Sequence, residues 1–263
     1  MNYKYLFSDM DGTLIHSSKK VSPENLSAIH AFQAKGGYFT VATGRSPEIT
    51  LPFLKDVHLN LPAILFNGAA IYDFNTKEFL YQKELPAKII HRILTDVMSI
   101  DPGICIQAFK DHQLLLLNQD CQMDPFILSE NQPHKFAAYT PGTTYTKLLF
   151  YGEPESLQHM ANHFSSYALH NFTFTFSAPF YLELLPSGVS KCTALRWLCD
   201  YLHIESHQVA AIGDFDNDAD MLSYAGIGAA PQNASLLARS SADFITPSND
   251  EHGVAYFIKN YLL

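Results

Sequence analysis

The chain has 263 residues, 47% of them hydrophobic, enough for a large core and near the size at which one core tends to split into two domains. Seventeen basic residues stand against 26 acidic ones, a formal charge of −9, which argues against nucleic acid or an anionic membrane as a partner. Cys105, Cys121, Cys192 and Cys199 form no CxxC pair, the N-terminus reads as a strand rather than a signal peptide, and no apolar run approaches membrane-spanning length, so a reducing cytoplasm is the expected location.

The first apolar run, Tyr5-Leu6-Phe7, reads as a buried strand that ends in Asp9-Met10-Asp11-Gly12-Thr13. Carboxylates two residues apart at a strand end point to the same side, and Gly12 lets the backbone turn sharply. Such a pair is either a polar turn or a working pair, in which one carboxylate attacks and the other gives and takes a proton. Ser22-Pro23-Glu24 starts a helix, Gly36-Gly37 ends it, and Tyr38 to Ala42 is a second strand. Thr43-Gly44-Arg45 follows that strand, and Ser46-Pro47-Glu48 starts another helix. Thr43 offers a hydroxyl and nearby backbone amides. Arg45 is a surface charge or a neighbour of bound substrate. Ala63 to Phe66 is a third strand, broken at Asn67-Gly68.

From about Gln82 to Leu185 the pattern changes. A helix through Ile89, Ile93 and Val97 leads into strands near Ile104–Ile106 and Leu114–Leu117, with Lys110-Asp111-His112 as their turn. The strand Lys147–Tyr151, a helix around Leu157 to Phe164, and neighbouring strands at Phe172–Phe176 and Tyr181–Leu184 follow. Phe172, Phe174 and Phe176 alternate with Thr173 and Thr175, as in a sheet with one buried face. This segment reads as an α+β module inserted into the first. His159 and His163 lie four apart on the helix without an accompanying catalytic Glu, so no metal role is expected of them.

Strand–helix alternation then resumes, with strands at Val209–Ile212, Ile227–Ala230 and Phe244–Thr246. Alternation of this kind implies a parallel sheet covered on both faces, with ligands bound beyond the carboxyl ends of its strands. The Asp9–Thr13, Thr43–Arg45 and Gly213–Asp218 segments all fall at such ends. Lys191 falls in the first turn of a helix whose apolar stripe is Ala194, Leu195, Leu198, Cys199 and Leu202. A cation there is unfavourable by about 0.3–1 kcal/mol, unless an anion occupies that helix end. Asp214, Asp216, Asp218 and Asp220 crowd one segment, a repulsion that a hard divalent cation, magnesium rather than zinc, relieves. The sixth position counted from Asp214 is not glycine, which excludes an EF-hand loop. Asn233-Ala234-Ser235 reads as a helix cap.

Together these residues resemble the haloacid dehalogenase superfamily of phosphohydrolases. Asp9–Thr13 resembles its first motif, Thr43 its second, Lys191 its third, and Gly213–Asp218 its fourth. Val41-Ala42-Thr43-Gly44-Arg45, Phe66-Asn67-Gly68-Ala69, Leu182 through Lys191, and the final Ser248 through Ala255 resemble its Cof-type branch with a C2 cap. One departure is Gly228 through Ala234, where relatives often carry Met-Gly-Asn-Ala; no motif residue is lost. The resemblance implies an α/β fold: a Rossmann-like parallel-sheet core of residues 1–81 and 186–263, with an inserted α+β cap of residues 82–185.

It also implies a phosphatase acting on small phosphorylated metabolites, sugar phosphates or related monoesters, through an aspartyl-phosphate. Asp9 is then the nucleophile and Asp11 the acid and base. Mg²⁺ is held by the Asp9 carboxylate, the Asp11 backbone carbonyl and Asp214, with Asp218 as a further ligand or as support. Thr43, Gly44, Lys191 and Asn217 bind phosphate. A monomer or weak homodimer is expected. Alternatives are a phosphomutase or phosphotransferase of the same superfamily, a receiver-type signalling domain that accepts phosphate without turnover, and a sugar-phosphate-binding protein that has lost catalysis. Asp11 and the inserted module argue against the receiver, and the intact motifs against the binding protein.

Overall fold

The computed structural model describes residues 2–165 and 172–263. The chain forms two compact units, Met1–Tyr81 with Ser190–Leu263, and Gln82–Val189. Its strands, in chain order, are β1 (Tyr5–Ser8), β2 (Tyr38–Val41), β3 (Ala63–Leu65), β4 (Ala70–Asp73), β5 (Glu78–Gln82), β6 (Cys105–Lys110), β7 (Gln113–Leu116), β8 (His134–Phe136), β9 (Lys147–Tyr151), β10 (Phe172–Ala178), β11 (Tyr181–Pro186), β12 (Val209–Ile212), β13 (Ile227–Pro231) and β14 (Phe244–Thr246).

In the first unit, β14-β13-β12-β1-β2 form a parallel sheet. Side chains on a strand alternate between faces, yet Leu6 and Phe7 are both fully buried, so both faces are covered. Phe7 packs with Ala211 and Ala230 against Leu195 and Leu198 of the helix Lys191–Leu202 and Met221 and Leu222 of the helix Ala219–Tyr224. Capping fixes where the helices start. The Ser22 hydroxyl accepts the Asn25 N–H at 3.2 Å ahead of the helix Pro23–Ala34, and Ser235 caps Leu236–Ser240 at the Ala238 N–H. Such a cap contributes about 1 kcal/mol.

One strand leaves the alternation. β3 pairs antiparallel with β4, which neighbours β5 in a separate three-stranded sheet; a single parallel bridge, Ala42 to Ile64, ties β3 to the end of β2. The cause is local. Phe66, Asn67 and Gly68 all take positive φ, +52°, +54° and +97°, which reverses the chain directly after β3 and leaves no crossover helix.

The second unit is one six-stranded sheet, β10-β11-β9-β6-β7-β8, antiparallel except for the β7–β8 pair. Ile106, Ala108, Leu148, Phe150, Leu182 and Leu184 pack on one face against the apolar stripes of the helices Ala87–Ile100 and Pro154–Ser165. Asp111, at φ +50°, makes the β6–β7 turn. His159 and His163 are exposed on the helix Pro154–Ser165.

Candidate active site

Strand register assembles the site. Ser8, the last residue of β1, lies opposite Val41 of β2 and Ile212 of β12. The Asp9 N–H donates to the Ile212 carbonyl at 2.8 Å, and the Ala42 N–H to the Ser8 carbonyl at 2.8 Å. The chain therefore leaves all three strands at one edge, carrying Asp9, Thr43 and Asp214 with it.

Lys191 is the hub. It is the first residue of its helix, 2% exposed, and its ammonium reaches Asp9 Oδ1 at 2.5 Å and Asp218 Oδ1 at 2.7 Å. Two carboxylates thus occupy the place where the sequence called for an anion. Burial opposes the Lys191 charge, but Asp218 and Asp9 more than offset it, and the group stays protonated well above the ordinary lysine range. The other Asp218 oxygen accepts the N–H groups of Asp214 (3.1 Å) and Phe215 (3.0 Å). Asp218 therefore braces both the lysine and the loop.

Asp214 accepts the Thr13 hydroxyl at 2.7 Å. Gly12, at φ +78°, passes so close that a Cβ there would collide with the Asp214 carboxylate. Burial pushes the Asp9 carboxyl well above its usual range; Lys191 opposes this, and Asp218 and Asp214 add to it. Burial likewise raises Asp214 to about 6 against the pull of the Thr13 hydroxyl, and the nearby Asp218 charge adds to the rise. Carboxylates crowded this closely repel one another unless a proton or a cation lies among them. Asp9, Asp214 and Asp218 each offer an oxygen, all within 4.8 Å of one another. This all-oxygen set fits a hard divalent ion such as Mg²⁺. The four acidic residues from Asp214 to Asp220 do not act together: Asp216 is exposed and accepts the Ser235 hydroxyl at 2.6 Å, and Asp220 is exposed.

On the β2 side, the Thr43 N–H donates to Ile64, its carbonyl accepts the Asn67 N–H, and its Oγ1 accepts the Arg45 N–H at 3.3 Å. Asn217 donates to Asn67 Oδ1 at 3.0 Å, and Gly44 runs against the Asn67 side chain. Asn67 thus links Thr43, Gly44 and Asn217, a part that sequence reasoning did not assign. The Asn-Gly step after a strand, which favours left-handed backbone, was its available signal.

Asp11 stands apart from the other carboxylates. It is ion-paired with Arg45, Nε to Oδ2 at 2.6 Å and Nη2 to Oδ1 at 2.7 Å. This pairing across 34 residues had no local sequence signal. Cys105, Cys121, Cys192 and Cys199 are free thiols. Among the described residues, no helix is long and apolar enough to cross a membrane.

Residues 6–258 match the family model of the haloacid dehalogenase-like hydrolases. YxeH of Bacillus subtilis, provisionally named a phosphatase, is 30% identical, over 99% of each chain. The B. subtilis 5-amino-6-(5-phospho-D-ribitylamino)uracil phosphatase YitU is 25% identical, over 96% of this chain and 95% of its own. A solved haloacid dehalogenase-like hydrolase from Bacteroides thetaiotaomicron superposes with a TM-score of 0.86 at 27% identity, over 98% of each chain. TM0651 from Thermotoga maritima shares the fold, with a TM-score of 0.86 at 24% identity over 98% of this chain and 97% of its own. A family match over nearly the whole length, on a core that carries all four motifs at one sheet edge, makes this chain a member of the haloacid dehalogenase-like hydrolases, and a phosphatase of their Cof-like branch.

Proposed function

We propose that the chain hydrolyses small phosphate monoesters in two steps, with Asp9 as nucleophile and Asp11 as acid and base. The observation that carries this reading is the buried Asp9 carboxylate, bonded to Lys191 and within 4.8 Å of an Asp214 oxygen, two residues before an exposed carboxylate on a sharp turn. An Asp9 oxygen attacks phosphorus, the bond to the leaving oxygen breaks, and Asp11 hands that oxygen a proton. Asp11 then takes a proton from water. The water oxygen attacks phosphorus, the bond to Asp9 breaks, and inorganic phosphate leaves.

Lys191 offsets the charge of Asp9, so that a phosphate dianion can approach it. The Thr43 hydroxyl, the Gly44 backbone and the Asn217 amide orient the phosphoryl oxygens. Mg²⁺ would be held by Asp9, the Asp11 carbonyl and Asp214, with Asp218 behind it, and would supply charge neutralisation and orientation. The inserted unit we assign to leaving-group selection. Because YitU is named for a 5-phospho-D-ribityl compound, phosphorylated sugars and sugar alcohols are the substrate class to screen first.

The test is release of inorganic phosphate from a panel of phosphorylated metabolites, with Mg²⁺, with Ca²⁺, and in excess chelator. Turnover with Mg²⁺ alone, together with a labelled acyl phosphate mapped to Asp9, is the expected result. Label on a histidine or serine, or full activity in chelator, overturns it.

A further inference from the structure

We infer that Arg45 is a positioning residue for the reaction: its guanidinium holds the Asp11 carboxylate at the angle from which it exchanges protons with the leaving oxygen and with water. The inference rests on the reading of Asp11 as acid and base.

The two partners are held very differently. The Arg45 side chain is 7% exposed, whereas that of Asp11 is 48% exposed. The Arg45 N–H donates to Thr43 Oγ1 and its carbonyl accepts the Phe66 N–H at 3.1 Å, so its backbone is fixed on both sides. Its guanidinium lies 4.3 Å from the centre of the Phe53 ring, a stacking arrangement suited to a delocalised cation. Asp11 sits on the turn that Gly12 makes, with its side chain open to solvent. Control therefore runs from the anchored arginine to the exposed aspartate.

An exposed ion pair contributes about 0–1 kcal/mol and orients nothing, because both partners move. A buried planar fork that bonds both carboxylate oxygens fixes the plane of the carboxylate as well as its place. Proton transfer depends on that placement, since the acid must lie within hydrogen-bond reach of the reacting oxygen. The geometry also argues against Arg45 as a phosphate clamp, because Nε and Nη2 are spent on Asp11.

The experiment measures kcat/KM for 4-nitrophenyl phosphate, whose leaving group needs no proton, and for a simple alkyl phosphate, whose leaving alkoxide does. The proteins are wild type, Asp11→Asn, Arg45→Gln, Arg45→Lys and the Asp11→Asn/Arg45→Gln double variant. Asp11→Asn should lose much more on the alkyl ester than on the aryl ester. Arg45→Gln should reproduce that selectivity, losing about 10- to 100-fold on the alkyl ester, up to the lower end of acid–base effects because Asp11 itself remains, with little change on the aryl ester. Arg45→Lys should fall between, since a point charge attracts the carboxylate without fixing its plane. The double variant should be no worse than Asp11→Asn alone.

Equal losses on both esters through a raised KM, or additive losses in the double variant, would mean that Arg45 touches the phosphate, and would overturn the inference. If Arg45→Gln fails to fold, Arg45→Lys carries the same comparison. A selective Asp11→Asn beside unselective Arg45 variants sinks this inference alone. An unselective Asp11→Asn sinks the acid–base reading, and this inference with it.

Discussion

Asp9 and Asp124 are both buried carboxylates, each in a different unit, and their surroundings are opposites. Asp124 is 1% exposed and answered by neutral donors: the Phe126 N–H at 2.8 Å, the Tyr181 hydroxyl at 2.7 Å and the Gln107 amide at 2.7 Å. It caps the helix Pro125–Ser129 and ties that helix to the sheet. Asp9 has a lysine, but Asp214 offers an oxygen within 4.8 Å of it and Asp218 shares the same lysine. A buried acid whose partners are donors is a structural device. A buried acid that shares one lysine with another acid and has a third beside it is under-compensated, which an incoming cation can exploit.

The contrast can be broken at either end. Asp9→Asn should reduce turnover at least about 10⁴-fold, as loss of a nucleophile does, while the protein stays folded; residual turnover near wild type would remove Asp9 from the chemistry. Asp124→Asn should do the reverse. Its amide turns a donor toward at least one of the three donors it now accepts from. The expected cost is about 1–3 kcal/mol of stability, read as a lower Tm, with kcat for 4-nitrophenyl phosphate kept within roughly a factor of two when the folded fraction is counted. Loss of that activity in a folded variant would show that Asp124 is more than a brace.

The smallest effect is the most diagnostic. A carboxyl that ionises less readily when folded costs nothing while it is protonated in both states, and its full penalty once it is charged in both. For Asp214 the penalty grows from its ordinary value near 3.8 to about 6 and persists above. Metal-free Asp214→Asn at pH 7 should therefore melt higher than metal-free wild type by roughly 2–4 °C, the shift of about 1 kcal/mol in a chain of this size. Wild type should gain on the variant as the pH is lowered through 6, and should overtake it when Mg²⁺ is added. A lower Tm in the metal-free variant would mean that Thr13 and Lys191 already satisfy Asp214.

The constellation was legible because its parts are written beside strand ends: Asp9 after Tyr5–Ser8, Thr43 after Tyr38–Val41 and Asp214 after Val209–Ile212. A strand end fixes direction, and a parallel sheet places its strand ends together. Lys191 was legible as an anomaly, a cation at the wrong end of a helix. The partner of each group was not legible. That Lys191 meets Asp218, or that Arg45 turns to Asp11, depends on register and loop path rather than spacing. The departure of Ala63–Leu65 into a second sheet followed from three successive left-handed residues, of which Asn67-Gly68 signalled a break but not its direction.

Gly68 has a consequence that reaches far along the chain. A Cβ at this position would run into the Ser190 carbonyl, and Ser190 caps the helix that begins with Lys191. Its backbone, at φ +97°, already disfavours any L side chain. The lysine ammonium is thus set by how closely two stretches of main chain, more than a hundred residues apart in sequence, can approach. One added methyl group at Gly68 would push against the start of that helix, meeting main-chain atoms of Ser190 and Lys191 first. At this position the approach of the two main-chain stretches leaves room for a hydrogen atom and no more.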